Sequence, residues 1–213
     1  TPLYSSAASD VYKRQDIGQW IRNTGGNGCK GEKMKIQLER FDDKYKEKIW
    51  RDGFCEESPE WNKFNGPYFE DYVHYESLES FEKSGIWKYL QQPNCRAILV
   101  DGVVVGMVSK NWVDEKTRWM EIGIVIYDEN YWNKSIGTKA LKLWTSEVFN
   151  DNPQIEHLGL TTFSGNPRMM KAAEKIGFIQ EARIRKVRYW NGTYYDSMKY
   201  GVTREEWEKL SQK

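Results

Sequence analysis

Histidine is almost missing from this chain: His74 and His157 are the only two in 213 residues. Cysteine is scarce too, and Cys29, Cys55 and Cys95 form no C-x-x-C pair and are odd in number. Isolated imidazoles and scattered thiols make neither a zinc set nor a disulfide framework, so no metal is expected and a reducing cytoplasm is the expected compartment. No apolar run approaches the ~20 residues of a membrane span, and no signal peptide is legible, so no membrane partner is expected. Charge of one sign is also lacking, since 32 Lys and Arg face 31 Asp and Glu for a net +1. That balance argues against a nucleic-acid surface. Neither G-x-x-x-x-G-K-[ST] nor G-x-G-x-x-G occurs, which removes the P-loop and the dinucleotide fingerprint.

Aromatics, by contrast, are plentiful, with ten Trp and thirteen Tyr. They furnish a core, a ligand cleft or both. Residues 1–33 read differently from the rest: Ser5, Ser6, Ala7, Ala8 and Ser9 precede Gly25-Gly26-Asn27-Gly28, with few spaced apolar residues. The expectation is a disordered leader, of which SAASDVYKRQ resembles a translated sequencing adapter and is set aside from the fold. Residues 34–213, about 180 in number, suit a single domain with one sizeable core.

Taken in order, Lys35 to Phe41 alternates as a first strand, and Asp42 or Asp43 is placed to cap the helix carrying Tyr45, Ile49 and Trp50. Between Glu56 and Glu82 eight acids interleave with Trp61, Phe64, Tyr68, Phe69, Tyr72 and Tyr75. Such a patch is either the lip of a site for a cationic ligand or a solvated acidic face with its aromatics turned inward. Tyr68 to Lys83 is expected to be helical and to end at Gly85. Arg96 to Val108 is a hairpin about Asp101-Gly102, and Arg118 to Tyr127 a third antiparallel strand. Ile155 to Thr162 is a parallel-type crossover strand, Met169 to Ile176 a helix stopped by Gly177, and Phe178 to Tyr200 a hairpin about Asn191-Gly192.

The centre of the chain is MEIGIVIYDENYWNKSIGTKALKLWTSEVF, residues 120 to 149. Ile122, Ile124 and Ile126 alternate with Gly123 and Val125 as in a buried strand. Ile136, Ala140, Trp144 and Val148 then recur every fourth residue along one helical face. Between them Asn133-Lys134-Ser135-Ile136-Gly137-Thr138 makes a polar turn. A strand, a tight turn and a helix N-terminus gather free N–H groups and the positive helix end at one point, as an anion site does. By spacing alone, an ordinary strand-to-helix turn fits equally well.

Together with NPRMMKAAEKIGF, residues 166 to 178, this stretch resembles the acetyl-CoA-binding core of the GCN5-related N-acetyltransferases, in the branch acting on ribosomal-protein N-termini, polyamines and small amines. The resemblance runs from Met34 to about Trp207. It implies an α+β fold, a mostly antiparallel twisted sheet of about seven strands flanked by helices. It also implies acetyl-CoA as the cofactor and a small-molecule amine or a peptide N-terminus as the partner of a monomer or homodimer.

The family's pyrophosphate loop falls on Trp132-Asn133-Lys134-Ser135-Ile136-Gly137, with Trp132 replacing a Gln or Arg and Ser135 a glycine. Ser135 suits the loop if its φ is negative. Cofactor contacts are then expected from Ile124, Val125, Ile126, Trp132, Asn133, Lys134, Ser135, Ile136, Gly137, Thr138, Asn166 and Met169. The family's reprotonating tyrosine is replaced by Ala173.

Acetyl transfer needs a neutral amine and donors for a developing oxyanion, and N–H groups of Ile124, Val125 and Ile126 are candidates. Glu121 and Asn166 are the catalytic candidates. Glu121, if set among apolar neighbours, would serve as base. Otherwise it is a structural carboxylate paired with Arg118 or Arg96. Asn166 also has the competing role of helix N-cap before Pro167. Tyr68, Tyr72, Glu76, Tyr189 and Tyr194 are the expected acceptor-binding residues, for a cationic acceptor such as a polyamine, an aminoglycoside-like amine or a protein N-terminus. The rival is a non-catalytic acyl-CoA-binding or interaction domain of the same fold.

Overall fold

The computed structural model describes residues 34–212, so the leader expected over 1–33 lies outside the described residues. Seven strands form one sheet in the order β1-β2-β3-β4-β5-β7-β6. These are β1 (Ile36–Glu39), β2 (Cys95–Val100), β3 (Val103–Asp114), β4 (Trp119–Ile126), β5 (His157–Phe163), β6 (Ile179–Trp190) and β7 (Thr193–Thr203). Among the described residues six α-helices accompany them: α1 (Lys46–Gly53), α2 (Leu78–Glu82), α3 (Gly85–Leu90), α4 (Ile136–Asp151), α5 (Pro167–Ile176) and α6 (Arg204–Ser211). The expected mixed, mostly antiparallel sheet is present, and β4 with β5 is its one parallel pair.

Both hairpin turns follow from their dipeptides. Asp101 and Gly102 have φ of 50° and 83°, and Asn191 and Gly192 have 47° and 76°. A type I′ turn needs two such left-handed residues in succession.

The sheet buries a core on each face, as strand alternation dictates. On one side Ile98, Val105, Val108, Met120 and Ile122 meet the predicted stripe of α4, with Ile136, Ala140, Trp144 and Val148 each at most 1% exposed. Trp144 also donates its indole N–H to the Ser109 carbonyl at 2.9 Å. On the other side Ala97, Leu99, Val104 and Met107 pack on Ile49, Phe54, Trp61, Phe81 and Trp87. This second core takes no residue from β5, β6 or β7.

The helix expected from Tyr68 to Lys83 is not formed. A 3-10 turn at Pro67–Phe69 is bounded by left-handed Gly66 and Glu70, and regular structure resumes only at α2. Ser77 and Ser80 cap α2 reciprocally, and Ser84 caps α3, so Gly85 opens a helix where it was expected to close one. The capping residues win here because they satisfy N–H groups that a continuous helix would leave to the preceding turn. Helix α6 was not anticipated, although Thr203 and Glu206 form a capping box that its sequence displays. Among the described residues no helix is long and apolar enough to cross a membrane.

Candidate active site

Strands β4 and β5 pair only at Met120 with Leu158 and Glu121 with Gly159. Beyond these residues β4 runs on to Ile126 and β5 to Phe163 without pairing, so the sheet splits into a V. A cavity of about 300 Å³ opens beside the split. Ile124, Val125 and Ile126 form one wall, Asn133 and Ser135 to Thr138 a second, and Asn166, Met169, Lys171 and Lys175 of the α5 segment a third. Eleven of the twelve expected cofactor residues, counting Asn166 and Met169, therefore meet at one place. Lys134 is the exception and lies 5.8 Å from the Tyr131 ring centroid.

The loop between β4 and α4 is built from alternating backbone signs. Asn133 and Ser135 have φ of 59° and 60°, so the negative φ set as the condition for Ser135 to suit the loop is not met. Left-handed residues in alternation turn successive N–H groups to one side and make an anion-binding concavity. Ser135 is also the N-cap residue of α4, and its side chain caps nothing. The first-turn N–H groups of α4 therefore stay available, with the positive helix end behind them. A Cβ on Gly137 would sit 3.7 Å from Ile126 Cδ1 and 3.8 Å from Ile124 Cδ1, so the glycine keeps a floor clear that alanine would just fill.

Trp132 does not act through charge, as a Gln or Arg at its place would. Its indole N–H donates to the Ile126 carbonyl at 2.9 Å, fastening the loop to the free end of β4. Its ring meets Phe64 edge-on at 5.7 Å. The Arg168 guanidinium lies 4.1 Å from both ring centroids. Burial lowers the Arg168 pKa, opposed by the charges of Glu60 and Glu129. Phe64, Trp61 and Asn65 also line the cavity, and none of the three was among the residues expected to meet a cofactor. Their only signal was the aromatic spacing of the acidic stretch.

Asn166 performs the N-cap role: its Oδ1 accepts the Met169 N–H at 3.0 Å, and Pro167 follows at the first helical position. Its Nδ2 donates to the Phe64 carbonyl at 3.0 Å, which ties the 60–65 segment across the cavity. Glu121 lies at the apex of the split, but not among apolar neighbours. Its Oε1 accepts from Lys199 Nζ at 3.0 Å and its Oε2 from the Thr161 hydroxyl at 2.7 Å. Neither Arg118 nor Arg96 reaches it; Arg96 pairs with Glu147 at 2.7 Å. A Cβ on Gly159 would approach Glu121 Cγ to 3.2 Å, so that glycine makes room for the carboxylate.

The expected acceptor residues do not line the cavity. Tyr72 belongs to the second core, stacking on Phe54 at 6.3 Å and donating to the Glu56 carbonyl at 2.7 Å, and burial drives its phenol pKa far up. Glu76 is exposed. Tyr189 and Tyr194 meet each other at 4.9 Å on the outer part of the last hairpin and are more than half exposed. Tyr68 instead packs on Phe163, at the end of β5, at 5.4 Å. Several acids of the patch are engaged by their own lysines, Glu60 by Lys63, Glu79 by Lys83 and Glu82 by Lys46.

A split parallel pair, with a cradle of helix-terminal N–H groups beside it, sets a strand edge and an anion-binding helix end around one cavity. The chain belongs to the Acetyltransferase (GNAT) domain family, whose model matches residues 36–179. A Bacillus subtilis protein named "Putative ribosomal N-acetyltransferase YdaF" is 31% identical over 111 residues, 52% of this chain and 60% of that protein. The chain thus spans less than two thirds of that relative. The N-acetyltransferase YokL of the same organism, prophage-derived and uncharacterized, is 27% identical over 65% of this chain and 78% of its own length. Among solved structures, spermidine N-acetyltransferase from Vibrio cholerae in complex with CoA and spermine superposes with a TM-score of 0.62. It is 17% identical, covering 81% of this chain and 98% of its own, and so speaks to the fold alone.

Proposed function

We propose that this domain transfers an acetyl group from acetyl-CoA to a primary amine by direct attack. The observation that carries the reading is the split beyond Glu121 and Gly159, with the cradle of Asn133 to Thr138 beside it. Bound acetyl-CoA supplies a thioester whose carbonyl carbon the amine attacks, a C–N bond forming as the C–S bond breaks. The chain's residues fit such a ligand: N–H groups of Ile136, Gly137 and Thr138 for the pyrophosphate, Lys171 and Lys175 for further phosphate charge, and Ile124 to Ile126 for the pantetheine arm. Trp132 and Met169 add apolar walls. Backbone N–H groups freed by the split are the donors for the developing oxyanion.

Glu121 receives the proton or holds the incoming ammonium, as it holds Lys199. The cationic acceptor enters from the sheet face on which Glu121 lies, with Tyr68 beside its path. Ala173 is fully buried and has no proton to give, so water or the amine's own proton restores the thiol. Cys55 and Cys95 are free thiols, in keeping with a cytoplasmic setting.

Trp132, Ser135 and Ala173, where the family resemblance implies other residues, favour one rival: a domain that binds acyl-CoA without turnover. CoA release measured against a panel of amines, peptides and aminoglycosides separates the two. Saturable acetyl-CoA binding with no turnover on any acceptor would leave the binding domain.

A further inference from the structure

We infer that the acceptor carries an anionic group, a carboxylate in the first instance, roughly 10–13 Å from its reacting amine, and that Arg188 receives it. This rests on the acetyl-transfer reading above and adds the substrate class to it.

The sheet face that carries Glu121 sets the frame. The second core takes nothing from β5, β6 or β7, and the face they share with Glu121 is met instead by the 3-10 turn at Pro67–Phe69, whose Tyr68 packs on Phe163. The register aligns the residues there: Glu121 with Gly159 and Gly201, Thr161 with Lys199, Phe163 with Ser197, and then Tyr195 with Arg188. From Lys199 to Tyr195 is four residues along β7, about 13 Å. At the near end, Glu121 is arranged to hold an ammonium, since it already accepts one from Lys199.

The far end carries the opposite charge. The Arg188 guanidinium lies 4.9 Å from the Tyr68 ring centroid and 5.5 Å from that of Phe69. Its Nε is the only buried side-chain nitrogen or oxygen without a hydrogen-bond partner among the described residues. No carboxylate of the described residues pairs with it. Asp196, next to Tyr195 in the chain, is taken by the Arg183 guanidinium at 2.5 Å and by the Lys186 N–H at 2.9 Å. A break in the β6 register between Ile184 and Arg188, with Lys186 at a φ of 56°, brings Arg188 opposite Tyr195.

A buried donor without a partner is destabilising, and a guanidinium on aromatic faces matches a carboxylate in charge and planarity. The acids that suggested a polyamine are exposed, and three of them are held by lysines. A second ammonium at Arg188 would be repelled, whereas a carboxylate would pair. An extended tripeptide, at about 10 Å from amine to carboxylate, spans the gap.

The test is CoA release from acetyl-CoA with trialanine as the free acid, trialanine carboxamide and spermidine, using the full chain and its Arg188→Met and Arg188→Lys variants. The free acid is expected to exceed the carboxamide in kcat/KM by about tenfold or more. That ratio should fall to near one in Arg188→Met and stay intermediate in Arg188→Lys, which keeps the charge and guards against a misfolded variant. Equal rates for acid and carboxamide, a preference for spermidine over both, or a ratio that survives Arg188→Met would overturn the inference while leaving acetyl transfer intact. No turnover of any amine would overturn both.

Discussion

Ser135 is the residue at which local strain and cofactor binding meet, and replacing it by glycine gives a signed prediction. An L-residue in the left-handed region is destabilised by about 1–2 kcal/mol, and Ser135 sits there with a φ of 60°. Its side chain is exposed and makes no capping hydrogen bond, so little is lost when it is removed. Glycine adds about 0.5–1 kcal/mol of unfolded-chain entropy on the other side. The net expectation for Ser135→Gly is a stabilisation of about 0.5–1 kcal/mol, or about 1–4 °C in Tm for a domain of this size. Valine at the same position should destabilise, because a β-branched side chain is worse still at positive φ. Calorimetry or urea titration reads both, and acetyl-CoA affinity by isothermal titration should be kept or improved in Ser135→Gly, since the loop binds through backbone N–H groups. A lower Tm for the glycine variant would refute the left-handed cradle.

Four further outcomes are expected. Gly137→Ala should bind acetyl-CoA nearly as the parent does, and Gly137→Leu should bind at least tenfold more weakly, because its branches would meet Ile124 and Ile126 at the floor of the cradle; intact affinity in Gly137→Leu would misplace the loop. Glu121→Gln should lower kcat by about 10²–10⁴ and flatten the pH profile if Glu121 takes the proton, and an unchanged profile removes it as base. Trp144→Phe should lower stability by about 1–3 kcal/mol, since it removes the buried indole hydrogen bond to the Ser109 carbonyl and leaves a void, as urea midpoints would show. The Asp196 carboxyl is held below the usual carboxylate range chiefly by the Lys186 N–H, with Arg183 adding to it. A depressed folded-state pKa gives stability that is full above the unfolded pKa of about 4 and lost as pH falls through the folded value. Asp196→Asn should therefore be less stable than the parent at pH 7 and 5, with the gap closing toward pH 3.

The candidate site was legible in the sequence where its information is local. The cradle is a run of adjacent residues between a strand and a helix, each with its own period, so eleven of the twelve positions expected to meet a cofactor line one cavity. The path of the segment that carries three of the expected acceptor residues was not legible. Tyr68, Tyr72 and Glu76 lie in a segment whose path is set by left-handed Gly66 and Glu70 and by caps at Ser77 and Ser84, and a helical spacing misread it. Alternation also could not tell which face of the last hairpin bears on the site. Tyr195 meets Phe163 at 5.4 Å, while Tyr189 and Tyr194 meet each other at a tilt of 53°.

By itself the sequence determined the elements and their order: two type I′ hairpins from Asp-Gly and Asn-Gly, the buried stripe of α4, and the polar turn before it. These are properties of neighbouring residues, whose φ preferences and side-chain periods act without knowledge of the rest of the chain. Only the tertiary structure decided that β4 and β5 part beyond Glu121, that Lys199 and Thr161 are what Glu121 faces, and that Arg168 rests on Phe64 and Trp132. Glu121 and Lys199 are 78 residues apart, and Asn166 and Phe64 are 102 apart. Contacts at such separations are fixed by how the strands are ordered and which faces they bury, and no period along the chain encodes them.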